Sequence, residues 1–149
     1  MTRPATLAEV ADRRTNGEEF GSLVAEFLDT FYGTLKREGD AAAHIADQPA
    51  TIADSVEHAL LGAVGEHLAR RWSLPIPSWT SDPTRFLSRP HFTNDFDGFK
   101  ALMLAQSPLA FRRRLIFTEA EPLRRARMPT SQRQQGSPRP SRSTTEKVT

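Results

Sequence analysis

Apolar residues recur in steps of three and four through most of the chain, and those steps predict helices. In the first segment, LAEVADRR, Leu7 and Val10 share a face and Thr6 stands ready as the cap. The Asn16-Gly17 pair breaks the run. A second helix follows, with Asn16 as its predicted cap and Glu19 in capping-box position. Its stripe is Phe20, Leu23, Val24, Phe27, Leu28, Phe31 and Leu35, and Gly39 lies beyond its end near Arg37. A short piece over Asp40–Ala46 precedes Pro49. A long helix from Asp54 to Trp72 then carries Val56, Leu60, Val64, Leu68 and Trp72 every fourth residue, with Leu61 and Ala63 widening the stripe. Arg70 and Arg71 suit its C-terminal end, and Pro75 and Pro77 forbid its continuation.

The pattern weakens after that. Residues 73–96 read as loop, with one turn at DPTRFL capped by Asp82. Trp79, Phe86, Phe92 and Phe96 recur within it, so the loop is expected to be ordered and to lie against the core. Gly98–Gln106 reads as a helix with Asp97 as cap and Phe99, Leu102 and Met103 on one side. Ser107 is the predicted cap of the next helix, SPLAFRRR. Leu115, Ile116 and Phe117 form a short apolar run, suited to an extended conformation. Thr118 and Glu121 form a capping box for a last helix, EAEPLRRA. The expected fold is all-α, a small irregular helical domain over residues 1–127. Residues 128–149, basic and rich in Ser, Pro and Gln with Val148 near the end, are expected to form a disordered tail.

Composition changes this picture in three ways. The chain has 149 residues and no cysteine, which excludes disulfides, thiolate nucleophiles and cysteine zinc sites. It holds no apolar run near the ~18 residues that a membrane span needs. MTRPATLAEVADRR has neither an apolar stretch nor a small-residue cleavage site, so no secretory signal is expected and the protein is expected to be cytoplasmic. The charge is polarised. Residues 1–72 carry 7 basic and 12 acidic side chains, and residues 73–149 carry 13 and 6. Either the basic half meets an anionic partner or the two halves attract each other.

Catalytic and metal chemistry find little support. His58 and His67 share the long helix, but nine residues set them about 180° apart. No metal or cofactor site is expected. The chain contains no G-x-S-x-G, P-loop or G-x-G-x-x-G pattern. The Asp95/Asp97 pair is better explained by helix capping. The expectation is a protein that is not an enzyme.

The arginines carry the sharper signal. Arg112, Arg113 and Arg114 are consecutive, and Arg124, Arg125 and Arg127 follow. Three consecutive helical positions fan over ~200°, so they cannot all face one ligand. With Leu109, Phe111 and Leu115 inward, Arg112 and Arg114 flank the buried stripe and Arg113 sits farther out. A flanking arginine is expected to reach a carboxylate of the acidic half or a loop carbonyl. Nucleic-acid binding through these clusters and the basic tail is the alternative. A helix-turn-helix is rejected. After TLAEVADRRTNG, the would-be recognition helix EEFGSLVAEFLDTF carries Glu18, Glu19, Glu26 and Asp29 without a lysine or arginine.

Leu74–Phe92, LPIPSWTSDPTRFLSRPHF, followed by Ser107–Phe117, SPLAFRRRLIF, resembles an uncharacterised helical domain of actinobacterial proteins. The resemblance spans about half the chain, roughly from Val56 to Ala126. Members often have Trp-Phe where this chain has His91-Phe92, and Gly where it has Leu115. Some members carry the domain behind a DNA-binding helix-turn-helix, which implies regulatory or antitoxin-like proteins. This chain has its acidic helical segment there instead.

The expected function is therefore that of a non-enzymatic regulatory or protein-interaction protein, an antitoxin-like half of a two-gene module. A protein partner is expected, with nucleic acid not favoured and no membrane. The candidate interaction surface is Trp79, Phe86, Arg112, Arg113, Arg114, Arg124 and Arg125. Trp79 and Phe86 either pin the loop to the helices or form a recognition surface with the arginines.

Overall fold

The computed structural model describes residues 2–129. The predicted tail lies outside them except for Met128 and Pro129, and Met128 packs against the core. The fold is mostly helical, as the periodicity requires. Helix α1 spans Leu7–Thr15, and the Glu9 N–H donates to Thr6 Oγ1 at 3.0 Å. Helix α2 spans Phe20–Lys36. Its cap is Glu19 rather than Asn16: the Glu19 carboxylate accepts the N–H groups of Gly21 and Ser22. Asn16 instead ends α1, and Gly17 makes the turn at φ +104°, a conformation open to glycine. A four-residue helix α3, Ala43–Ala46, leads towards helix α4, Ser55–Arg71. Asp54 caps α4 by accepting from Val56 and Glu57, and Trp72 ends it.

Helix α4 is the centre of the molecule. The expected stripe covered one face, yet α4 is buried on most sides, with Gly62, Ala63, Gly65, Glu66 and Ala69 all inside. It packs against the short helix Leu109–Arg112 and against two 3₁₀ turns, Ser78–Ser81 and Pro83–Arg85. Its small residues explain the close packing. A Cβ on Gly65 would stand 2.9 Å from Trp79 Cη2, and one on Gly62 would stand 3.0 Å from Arg114 Nε. Helices α1 and α2 pack together, and α2 supplies Phe27, Phe31 and Tyr32 to the core.

The aromatic loop is ordered, and Asp82 caps its turn by accepting from the Thr84 N–H. Two-residue strands β1, His91–Phe92, and β2, Ile116–Phe117, pair in parallel, with His91 opposite Ile116 and Phe92 opposite Phe117. Between them lie helix α5, Asp97–Gln106, and helix α6, Leu109–Arg112.

Three local expectations fail here. Asp97 is the first residue of α5 and not its cap. Ser107 does not cap α6; its hydroxyl donates to the Met103 carbonyl and accepts the Thr118 N–H at 2.8 Å. The helix expected after Thr118 does not form. Pro122 lacks the N–H that would make its first hydrogen bond. Thr118 is also occupied, its N–H on Ser107 and its hydroxyl on the Glu119 carbonyl. The segment instead crosses α2, where the Tyr32 hydroxyl donates to the Leu123 carbonyl at 2.7 Å.

The approach of Trp79 to α4 gives a direct test of the packing. Gly65→Ala should destabilise the protein by roughly 1–3 kcal/mol through overpacking. Chemical denaturation measures it, and a neutral or stabilising effect would mean that Trp79 does not sit against this glycine.

Candidate functional site

The predicted surface residues divide into a buried network, an edge and a separate ion pair. The network centres on Glu66, whose side chain is 2% exposed. Helix α4 carries it among small residues, so arginines can reach it from three directions. Arg70, one turn later, donates its Nε to Oε2 at 2.7 Å. Arg113 donates to the same oxygen at 2.9 Å. Arg114 donates to Oε1 at 2.7 Å, and its remaining contacts are the carbonyls of Ala110 and Thr80. Burial opposes the Glu66 charge, but the hydrogen bonds from Arg114, Arg70 and Arg113 outweigh it and hold its pKa below the ordinary range.

Phe86 lies half-buried over this network. The guanidinium of Arg114 stands 4.4 Å from its ring centre and that of Arg113 5.2 Å. Trp79 is buried, and its indole N–H donates to the Ile45 carbonyl at 3.0 Å. Trp79 and Phe86 thus pin the loop to the helices. A fully buried arginine that the sequence did not single out, Arg85, completes the loop's attachment. Its guanidinium stands 4.9 Å from the Trp79 ring centre and donates to the carbonyls of His58 and Pro49.

The geometric forecast for the triple arginine holds in part. Arg114 is completely buried, as a flanking position allows. Arg112 is exposed and donates to the carbonyls of Ser107 and Ala105. Arg113 is not simply solvated, because it reaches Glu66. Leu109 points outward rather than inward, since α6 is one turn long and begins only after Pro108. Arg125 makes a two-pronged pair with Asp29 of α2, at 3.1 and 2.9 Å. Arg124 and Arg127 are exposed. Both cross-links, Glu66 to Arg113 and Arg114 and Asp29 to Arg125, join the acidic half to the basic half.

The histidines occupy separate environments, as their spacing demands. His58 Nε2 meets Thr84 Oγ1 at 3.0 Å, while Nδ1 accepts the Ile52 N–H. Burial, reinforced by Arg85, lowers the His58 pKa. His67 lies edge-on to Phe111, and burial with Arg71 nearby lowers its pKa to about 4. Among the described residues, no group of three or more His, Asp or Glu could hold a metal ion. No helix among them is long and apolar enough to cross a membrane.

A second feature was not legible in the sequence: an apolar cleft of about 620 Å³. Phe20 and Val24 of α2 and Leu60 and Val64 of α4 form one wall, and Phe99, Leu102 and Met103 of α5 form the other. Met103 is the buried residue of α5. Phe96, Phe99, Leu102 and Leu104 are large, apolar and exposed. The periodicity placed Phe99, Leu102 and Met103 on one side of the helix; all three line the cleft, and Phe99 and Leu102 are exposed there. Among the described residues, Glu119 is the one charged residue lining the cleft. Comparison of the chain with protein-family models, curated proteins and solved structures found no match.

Alanine substitutions separate the roles of the three arginines. Arg114→Ala should cost about 3–5 kcal/mol, because it leaves Glu66 buried with only half-exposed partners. Arg113→Ala and Arg112→Ala should each cost about 1 kcal/mol or less. Denaturant unfolding measures all three, and equal small costs would contradict the buried position of Arg114.

Proposed function

We propose that this chain is a non-enzymatic regulatory protein that acts by binding another protein, and that it binds through the cleft beside α5. The observation that carries this reading is that Phe99 and Leu102, large apolar residues exposed on α5, line the cleft together with Phe20, Val24, Leu60 and Val64. Monomeric surfaces rarely leave such a patch without use, and concave apolar sites of this size suit a partner's side chains. Charge defines the partner further. Among the described residues no lysine or arginine lines the cleft, and Glu119 does. Glu19 and Asp95 adjoin lining residues in the chain. Lys100 is turned about 160° from Leu102 around α5, away from the cleft. The partner segment is apolar and bracketed by basic residues.

This moves the interaction surface away from the arginines. Arg114 and Arg125 are held in ion pairs within the chain, which weakens the nucleic-acid alternative. The antitoxin-like role in a two-gene module, in the cytoplasm, rests on the resemblance of the LPIPSW and SPLAFRRR segments. Leu115, at φ +64°, stands where family members often carry Gly, and there the chain departs from the pattern.

The test uses the partner captured by the native chain from its own host. A Phe99→Ser/Leu102→Ser variant should keep its thermal melt and lose at least tenfold in affinity. An Arg112→Gln/Arg124→Gln/Arg127→Gln variant should bind as the native chain does. The reverse pattern would refute the cleft and favour the arginine surface.

A further inference from the structure

The network around Glu66 is unbalanced in charge. Three guanidiniums, those of Arg70, Arg113 and Arg114, share this one carboxylate. Among the described residues, two positive charges therefore stand uncompensated at one place. Arg114 spends its terminal nitrogens inside the protein. Arg70 and Arg113 do not. Arg70 uses its Nε alone, and Arg113 uses one terminal nitrogen. Their side chains are 43% and 41% exposed. Among the described residues, no other hydrogen bond occupies their remaining N–H groups.

Both of these arginines donate to the same oxygen, Glu66 Oε2, so the carboxylate draws the two forks side by side. The Phe86 ring restrains Arg113 from another side. Glu66 itself lies beneath them, shielded from solvent, so an arriving anion meets the N–H rims first. Guanidinium forks match the oxygens of phosphate, and two excess charges match a dianion. A phosphate monoester carries close to two negative charges above its second pKa of about 6. A carboxylate or a phosphodiester carries one.

We propose that Arg70 and Arg113 form a surface site for a phosphate dianion, either inorganic phosphate or the monoester of a small phosphorylated molecule, with Glu66 as its buried brace. The site is independent of the cleft.

Calorimetric titration of the full chain at pH 8 and constant ionic strength tests this with four probes: inorganic phosphate, methyl phosphate, dimethyl phosphate and acetate. The first two should bind at least tenfold more tightly than the last two. Tighter binding of methyl phosphate assigns the site to a monoester, and tighter binding of inorganic phosphate assigns it to the free ion. Arg70→Gln, at the exposed end of α4, should weaken phosphate binding at least tenfold while keeping the native thermal melt. Arg113→Gln should act similarly at temperatures where circular dichroism shows it folded, and Arg112→Gln should bind as the native chain does. Equal affinity for all four probes, a preference for dimethyl phosphate as for a nucleic-acid backbone, the absence of any binding, or unchanged binding by Arg70→Gln would overturn the proposal.

Discussion

One buried carboxylate organises this protein. Glu66 sits on the central helix, inside a stretch where Gly62, Ala63, Gly65 and Ala69 leave room for other groups to approach. A lone carboxylate there would be costly, because burial disfavours its charge. Arg114 answers it from the distant end of the chain, and Arg70 and Arg113 add to it at the surface. The same Arg114 also donates to the Thr80 carbonyl. It thereby connects three parts of the fold: α4, the aromatic loop and the α6 turn. The polarised charge of the sequence thus has a structural use. The basic half closes on the acidic half through Glu66 and again through Asp29 and Arg125.

Much of the helical frame was legible in the sequence because it depends on local patterns. Thr6 and Asp82 cap the elements that they were expected to cap, and the long helix begins beside Asp54, where its start was expected. The stripe of α2 is buried where it was drawn at Leu23, Phe27, Leu28 and Phe31. The failures come from tertiary contacts that local patterns do not carry. Thr118 satisfies the capping-box rule, yet its N–H is taken by Ser107 and its chain is drawn across α2 by Tyr32. Glu66 and Arg85, polar residues in the core, gave one weak signal each. A lone acid stood in a small-residue run, and an arginine stood in an aromatic loop.

The candidate surface was legible only by residue type. Trp79, Phe86, Arg113 and Arg114 do come together, but mainly to fasten the loop and the last turn to α4. The large apolar side chains left exposed include Phe99 and Leu102 of α5, which the pattern placed on one side of a helix. An amphipathic stripe states that a face is apolar. It does not state whether the same chain covers it. Scaffold and surface therefore separate in this protein: the arginine–carboxylate network holds α4, the loop and α6 together, while α5 leaves an apolar wall open to solvent.

A double-mutant cycle on Glu66 and Arg114 tests this account most directly. Glu66→Leu, Arg114→Met and the double variant are unfolded in denaturant beside the native chain. Each single change strands a buried charge, so each should be strongly destabilising, and the double variant should recover much of the loss. The account predicts a coupling energy of about 3 kcal/mol. A coupling below about 0.5 kcal/mol, the range of independent sites, would contradict the claim that this pair joins the two halves of the fold.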